Sequence, residues 1–193
     1  MRELMHRIYV IRHGETEWSA AGKHTSHTDI GLTARGENQS RALAERLPVV
    51  VFDAVLTSPR QRARQTCTIA GVLPQAIIEP DLAEWEYGDY EGRLSSEIRA
   101  TRPGWTIFED GCPGGESPEQ VSVRADRVIA RLRLLEGTVA IFTHGHFGRV
   151  LGARWIGLSV AYARCLLFHT AAISVLEYEC DQRGQPVIAK WNG

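Results

Sequence analysis

The sequence predicts an α/β fold built on a mostly parallel β-sheet. Two short apolar segments rich in β-branched residues, at residues 7–11 and 139–142, have the composition of buried strands. Segments with helical spacing of apolar residues lie between the predicted strands, and such alternation is typical of α/β proteins. The 193 residues fit one domain, which we expect to span residues 1–193.

Strands and helices alternate in the first half of the chain. The predicted elements are a strand at residues 7–11, a helix at 34–47, a strand at 54–56, a helix from 58 to about 71 and a short strand at 77–78. Thr33 and Ser58 stand where polar helix caps are expected, and Pro59 suits the first helical position. The first strand ends directly before Arg12-His13-Gly14, so this motif follows the carboxyl end of a strand.

Two irregular stretches open the second half. Residues 80–93 lack a clear period and are predicted to form a loop, and the proline- and glycine-rich residues 103–118 are predicted to form a surface excursion. Ser117 and Pro118 then begin an amphipathic helix that runs to about Leu135. The remaining predicted elements are strands at residues 139–142, near 166–168 and at 172–178.

Charge and composition exclude several classes of protein. Lys and Arg total 22 against 23 Asp and Glu, a net charge of -1, so nothing draws the whole chain to nucleic acid or to an anionic membrane. Residues 1–6 include charged side chains where a signal peptide needs an apolar stretch, and no apolar run is long enough to cross a membrane. We therefore expect a cytoplasmic protein.

The cysteines are far apart and form no C-x-x-C pair. This spacing signals neither a zinc site nor a thioredoxin-like motif. We expect reduced thiols, and two disulfides in an exported protein are the alternative. The four residues are Cys67, Cys112, Cys165 and Cys180.

Two histidines directly follow predicted strands. His13 and His144 are each followed by glycine, and ligands of open α/β sheets collect at the carboxyl ends of strands. One such histidine alone is more typical of a structural group. Two in the same layout predict a shared cleft.

Arginines near these histidines predict an anion site. Arg12 adjoins His13, and Arg62 follows another predicted strand, so two guanidinium groups can converge on one cleft. Guanidinium keeps its charge and matches phosphate oxygens with a planar fork, as a phosphate receptor requires. Helical spacing allows only some of Arg60, Arg62 and Arg64 to face inward, and the others are expected on a solvated face.

Four motifs stand in order between Arg12 and Arg149. They are Arg12-His13-Gly14-Glu15-Thr16, Arg62-Ala63-x-Gln65-Thr66, Leu82-x-Glu84 with Gly88 and Glu91-Gly92, and Thr143-His144-Gly145. Together they resemble the histidine phosphatase superfamily, also called phosphoglycerate mutase-like, which implies a single-domain, three-layer α/β/α fold. The longer strings at residues 57–66, 84–92 and 110–112 are similar to the branch that contains broad acid phosphatases and a sedoheptulose bisphosphatase.

The resemblance also implies roles. His13 is expected to be the nucleophile, with Glu84 as proton donor and Arg12, Arg62 and His144 around the phosphoryl group. An attacking imidazole nitrogen must be neutral, so we expect the other nitrogen of His13 to donate to a nearby carbonyl. Two arginines and a protonated His144 can stabilise the transferring group without metal, so no metal or other cofactor is expected.

A carboxylic acid is needed because an ester oxygen leaves poorly unless it is protonated. Glu84 fits this role if partial burial and the charge of the phosphate keep it protonated. Glu86 and Asp89 compete for it, although both are more typical of solvated loop charges. Together with Glu91, these carboxylates also allow an alternative interpretation as a magnesium site.

Further residues are expected to contact the substrate along with Arg12 and Arg62. They are Ser19, Thr25, Ser26, Tyr87 and His146. The mutases of the family have asparagine, glycine, arginine and asparagine where this chain has Ser19, Ser26, Trp85 and His146, which weakens the case for recognition of phosphoglycerate.

Other side chains of these loops have two interpretations. His24 and His27 either line the mouth of the pocket or are ordinary exposed loop residues. The aromatic residues near the predicted loops either form an apolar wall for the substrate or pack beneath the loop. These aromatic residues are Trp85, Tyr87, Tyr90 and Trp105.

Three functions remain open on the sequence. The first is a phosphomonoesterase for small phosphorylated metabolites of the sugar phosphate type. The second is a cofactor-dependent phosphoglycerate mutase, and the third is a noncatalytic module that binds phosphorylated ligands. A small phosphorylated metabolite is the expected partner in each case, and the sequence allows a homo-oligomer.

Overall fold

A six-stranded sheet forms the centre of the computed structural model, which describes residues 6–47, 51–72, 76–179 and 184–193. The strands are β1 (Arg7–Arg12), β2 (Ala54–Thr57), β3 (Ala76–Ile78), β4 (Thr138–Thr143), β5 (Ile173–Tyr178) and β6 (Pro186–Lys190), in the order β3-β2-β4-β1-β5-β6. The first four strands are parallel, β5 runs antiparallel to β1, and β6 antiparallel to β5. The predicted mostly parallel sheet is confirmed.

Helices cover both faces of the sheet. They are α1 (Glu17–Ala21), α2 (Ala34–Arg46), α3 (Gln61–Ile69), α4 (Ser95–Thr101), α5 (Ile107–Asp110), α6 (Pro118–Leu134) and α7 (Gly145–Trp155). Ile8 and Val10 of β1 pack into the core beneath α6 and α7, whereas Ile11 packs into a second core beneath α2 and α3. Alternate side chains of β1 therefore pack into cores on opposite faces of the sheet. The predicted three-layer fold is confirmed.

Helix starts follow local capping chemistry. The Thr33 hydroxyl accepts the N–H of Gly36 at 3.0 Å, which confirms the predicted cap of α2. Ser117 and Gln120 cap α6 reciprocally, as the sequence predicts. The predicted start of α3 at Ser58 is wrong, because the helix begins at Gln61. The Ser58 hydroxyl is instead hydrogen-bonded to His144.

Two other predictions need correction. Residues 166–168 form no strand; this segment runs as irregular chain between a 3-10 turn at Val160–Cys165 and β5. The stretch at residues 103–118 is not simply a surface excursion, because Trp105, Ile107 and Phe108 are buried in the core and α5 lies within it. Apolar side chains in a loop-like composition thus pack like core residues.

None of the helices in the described part of the chain is both long and apolar enough to span a membrane.

The described cysteines are free thiols. Cys67 and Cys112 are buried and Cys165 is exposed. Burial raises the pKa of both buried thiols to about 12. Cys180 lies outside the described residues.

Candidate active site

The two histidines that follow strands lie next to each other. β1 pairs in parallel with β4, with Arg12 opposite Thr143, so His13 and His144 leave the same edge of the sheet from neighbouring strands. Their ring centroids are 5.2 Å apart. The two histidines are thus brought together at the carboxyl ends of neighbouring parallel strands, where ligands of such sheets collect.

A backbone carbonyl fixes the tautomer of His13. Nδ1 lies 2.7 Å from the carbonyl oxygen of Gly14, and a carbonyl can only accept, so Nδ1 carries the proton and Nε2 keeps its lone pair. Burial is the main cause that lowers the pKa of His13 well below its ordinary value, and Arg62 and Arg12 lower it further. His13 is therefore a neutral imidazole with an available Nε2.

His144 is neutral as well in this unliganded site. The Nε of Arg62 donates to Nδ1 of His144 at 3.2 Å, so the ring proton is on Nε2, which donates to the Ser58 hydroxyl at 2.7 Å. Burial and then Arg62 lower the pKa of His144 well below its ordinary value. A second buried cation beside Arg62 would be costly, which favours the neutral ring here. The expectation of a protonated His144 concerns the site with a phosphoryl group bound and stays a prediction.

Arg62 is fully buried and holds a loop. Its Nη2 donates to the carbonyls of Thr25 and Ser26 at 2.9 and 3.4 Å, and its Nη1 to that of Thr28 at 3.2 Å. The Glu91 carboxylate accepts the N–H groups of Ser26 and Thr28 on the other side of the same loop. Arg62 is thus the inward-facing arginine of its helix and is fixed from several directions.

Arg12 brings a second guanidinium to the site. Its Nη1 donates to the Phe168 carbonyl, while its Nε is buried and has no hydrogen-bond partner among the described residues. A Cβ on Gly145 would lie 3.1 Å from this guanidinium, so the glycine leaves the arginine its space. Arg12 lines the cavity together with His13, so its positive charge is available to an incoming phosphate.

The Glu84 carboxyl sits at the N-terminus of α7. Its Oε1 accepts the N–H groups of Trp85 and Phe147, both at 2.8 Å, and its Oε2 accepts that of His146 at 3.1 Å. The side chain is only 6% exposed, yet it reaches the cavity described next. Because Oε2 has one donor where Oε1 has two, Oε2 is the oxygen that can exchange a proton with a bound molecule.

A cavity of about 260 Å³ collects most of the predicted residues. It is lined by Arg12, His13, Ser19, Gly22, Lys23, His24, Thr25, Glu84, Tyr87, Ser95, Gly145, His146, Arg149 and Phe168. Arg62 and His144 are fully buried beside His13 rather than in the lining. Ser26 is also buried outside the lining, where its backbone rather than its hydroxyl binds Arg62 and Glu91.

One wall of the cavity is aromatic and uncharged. The Tyr87 hydroxyl lies 2.7 Å from Nδ1 of His146, and the ring of His24 stacks on Tyr87 with centroids 4.7 Å apart. Burial lowers the pKa of His24 to about 4 and that of His146 well below its ordinary value, and it raises the pKa of Tyr87. His24 thus lines the pocket, whereas His27 is exposed and pairs with Glu86. Trp85, Tyr90 and Trp105 pack in the core instead.

Several lining residues were not predicted. Arg149 is held by the carbonyls of Ala163 and Arg164 at 3.0 and 2.9 Å and lies over the ring of Phe108. Its position three residues after His146 on α7 is the signal that could have identified it, because such residues share a helix face. Lys23 and Ser95 also line the cavity, and the backbone of Lys23 pairs with that of Leu94, next to Ser95. The sequence carries no comparable signal for this pairing.

The acidic residues of the 84–91 loop do not converge. Glu86 pairs with His27 at 2.9 Å, Glu91 binds loop N–H groups, and Glu84 binds the start of α7. Within residues 6–47, 51–72, 76–179 and 184–193, no three His, Cys, Asp or Glu side chains are grouped so that they could hold a metal ion. The alternative magnesium site therefore lacks a set of ligands in this part of the chain.

Comparisons with known proteins agree with this geometry. A family model described as histidine phosphatase superfamily (branch 1) matches residues 8–193. An acid phosphatase of Mycobacterium tuberculosis is 37% identical over 187 residues, covering 95% of this chain and 92% of the relative. A sedoheptulose 1,7-bisphosphatase of Saccharomyces cerevisiae is 37% identical over 193 residues, covering 83% and 71%. The solved structure of an open reading frame product of Mycobacterium tuberculosis superposes with a TM-score of 0.91 at 35% identity, covering 97% of each chain.

Proposed function

Because the chain belongs to the histidine phosphatase superfamily (branch 1), we propose that it is a metal-independent phosphomonoesterase that acts on small phosphorylated metabolites through a phosphohistidine. The observation that carries the proposal is the 2.7 Å contact of His13 Nδ1 with the Gly14 carbonyl, which leaves a neutral Nε2 beside two arginines. Relatives named as phosphatases support the hydrolysis of a phosphate ester.

The first step transfers the phosphoryl group to His13. Nε2 attacks phosphorus, and the N–P bond forms as the ester P–O bond breaks. The Glu84 carboxyl acts in its acid form and gives a proton from Oε2 to the leaving oxygen, so that an alcohol departs. Arg12, which lines the cavity, and the buried Arg62 stabilise the charge of the transferring group.

The second step releases phosphate. A water molecule takes the place of the alcohol, and the Glu84 carboxylate accepts one of its protons as the oxygen attacks phosphorus. The N–P bond breaks, inorganic phosphate leaves, and His13 returns to the neutral tautomer that the Gly14 carbonyl selects.

The cavity supports sugar phosphates as the substrate class. Ser19, Thr25 and Ser95 line it with hydroxyl groups, which can hydrogen-bond the hydroxyls of a sugar. Lys23 and Arg149 add positive charge to the lining beyond the reacting centre, which favours a substrate with a second anionic group.

Phosphate release in the presence of a chelator tests the proposal. The substrates are sugar monophosphates and bisphosphates, 3-phosphoglycerate and p-nitrophenyl phosphate. We expect turnover by the parent protein and a loss of about 10⁴-fold or more in His13→Ala, because the nucleophile is removed. His27→Ala, at an exposed histidine of a neighbouring loop, should retain turnover. Activity that survives the loss of His13 contradicts the mechanism.

The same panel separates the other two functions. A mutase needs a bisphosphate primer and moves the phosphoryl group between positions of phosphoglycerate instead of releasing it. A binding module gives saturable binding of the esters without release.

A further inference from the structure

The side chain of Arg124, on α6, uses all its donors inside the protein. Nε and Nη2 donate to the two carboxylate oxygens of Glu116 at 2.7 and 2.6 Å. Nη1 donates to the carbonyls of Asp81 and Ala83, both at 2.8 Å, and Nη2 also donates to the carbonyl of Glu84 at 3.3 Å. These five bonds equal the number of N–H groups in a guanidinium.

Most of the acceptors that Arg124 binds lie on the segment that carries Glu84. Three of the five are backbone carbonyls of residues 81–84, and the other two belong to Glu116, which binds the residues just beyond. The Oε2 of Glu116 accepts the N–H of Glu86 at 2.9 Å, and its own N–H donates to the Glu86 carbonyl at 2.9 Å. The carbonyl of Glu116 accepts Nε1 of Trp85 at 3.0 Å. Arg124 and its partner Glu116 therefore hold the backbone on both sides of Glu84.

The guanidinium also packs on the residue that holds the Glu84 carboxyl. The Cζ of Arg124 lies 4.3 Å from the ring centroid of Phe147, whose N–H donates to Oε1 of Glu84. Arg124 thus contacts both the backbone of Glu84 and the first turn of α7 that orients its side chain. Arg127 and Arg131 of the same helix pair with the side chains of Asp81 and Glu79, and none of their hydrogen bonds reaches Glu84.

We propose that Arg124 is a positioning residue for proton transfer, which holds the Glu84 carboxyl where the oxygen of the leaving group arrives. The inference rests on the proposed function, in which Glu84 protonates that oxygen. An ion pair for stability alone would need only Glu116, whereas three further donors of Arg124 are spent on the three carbonyls of residues 81–84. A misplacement of about 1 Å in such a group can slow a reaction by 10²-fold.

The dependence of the rate on the leaving group tests this role. p-Nitrophenolate is a weak base that leaves without a proton, whereas the alkoxide of glycerol 3-phosphate needs one. We expect the ratio of kcat/KM for glycerol 3-phosphate to kcat/KM for p-nitrophenyl phosphate to fall about tenfold or more in Arg124→Gln. Arg124→Lys keeps the charge beside Glu116 but has three donors instead of a fork, so we expect a smaller fall in the same direction.

The ratio does not depend on how much of a preparation is folded, because both substrates meet the same molecules. Glu84→Gln serves as the reference and should lower the ratio at least as much as Arg124→Gln. Arg154→Gln is the matched control, because Arg154 also forms a two-point pair, with Asp126 at 2.9 Å, away from Glu84; its ratio should not change.

Two results would overturn the inference and are distinguishable from each other. Equal losses with both substrates in both Arg124 variants, in a parent that is active, reject the positioning role and leave the proposed function standing. No turnover of either ester by the parent rejects the proposed function, and this inference with it.

Discussion

The Thr66 hydroxyl joins the two segments that carry Arg62 and His13. Oγ1 accepts the N–H of Gly14 at 2.9 Å and donates to the carbonyl of Arg62 at 2.8 Å. The Gly14 carbonyl in turn selects the tautomer of His13. A single buried hydroxyl therefore supports the positions of both His13, the proposed nucleophile, and Arg62.

Thr66→Val should lower both stability and activity. Valine keeps the shape of threonine but leaves the buried N–H of Gly14 without an acceptor, which costs about 1–3 kcal/mol of unfolding free energy. We also expect kcat/KM to fall about tenfold, because Gly14 and with it His13 lose a fixed position. Urea unfolding and phosphate release measure the two effects. Thr66→Ser should restore most of both, and Thr68→Val, exposed on the same helix, should change neither.

Single residues of the site were predictable where they follow strands. Arg12, His13 and His144 lie at the ends of β1 and β4, where the sheet itself brings them together. Lys23 and Ser95 could not be predicted, because their position in the lining depends on the pairing of Lys23 with Leu94, far apart in sequence. Reasoning from strand ends alone thus does not reach side chains that loops position, and Glu84 was expected from the family resemblance instead.

At the scale of elements, the loop at residues 25–28 lies between one cation and one carboxylate. Arg62 binds its carbonyls and Glu91 binds its N–H groups. Because the loop contributes Thr25 to the cavity and fixes Arg62, its conformation couples substrate contacts to the buried guanidinium.

Glu91→Gln should reduce kcat/KM about tenfold, because an amide keeps one acceptor oxygen and turns an NH₂ donor toward loop N–H groups. Steady-state phosphate release measures the effect. Glu86→Gln is the matched control in the same segment, since the Glu86 carboxylate pairs with the half-exposed side chain of His27. A Glu91→Gln protein with the parent's kcat/KM would show that the loop does not need this carboxylate.

Helix α7 explains why some elements escaped prediction. It contains Gly148 and Gly152, and glycine disfavours a helix by about 1 kcal/mol relative to alanine. A Cβ on these glycines would lie 2.5 Å from the ring of Phe168 and 2.6 Å from that of Trp191. Tertiary packing therefore demands glycine where local propensity argues against a helix. β6 was missed for a related reason, because an edge strand gains its stability from pairing with β5.

At the scale of the whole molecule, burial of histidines links stability to pH. Burial is the first cause that lowers the pKa of four of them, to about 4 for His24 and well below the ordinary value for the others. The unfolded chain binds protons at these sites below about pH 6.5, while the folded protein does not. The contribution of these neutral histidines to the unfolding free energy is therefore fully present above pH 6.5 and is lost as the pH falls below it. The four are His13, His24, His144 and His146.

We expect the unfolding free energy of the unliganded protein to fall below pH 6.5 by about 1.4 kcal/mol per pH unit for each of these histidines. Urea unfolding at pH 7.5, 6.5, 6.0 and 5.5 measures the slope. In His24→Phe the new ring can still stack on Tyr87, and the slope of the unfolding free energy against pH should fall by the contribution of one histidine. His27→Gln, at an exposed position, serves as the control. A stability that stays level from pH 7 to 5.5 would contradict the buried neutral state.

The carbonyl of Gly14 also decides which chemical isomer of a modified His13 could exist. With Nδ1 engaged as a donor, Nε2 is the nitrogen left to bear a phosphoryl group, so the proposed mechanism predicts the 3-phosphohistidine isomer and not the 1-isomer. Phosphoramidates of this kind hydrolyse in acid and survive in alkali. A protein chemist who quenches a turnover in base and probes it with an isomer-selective antibody would therefore retain a signal that acidic peptide chromatography destroys.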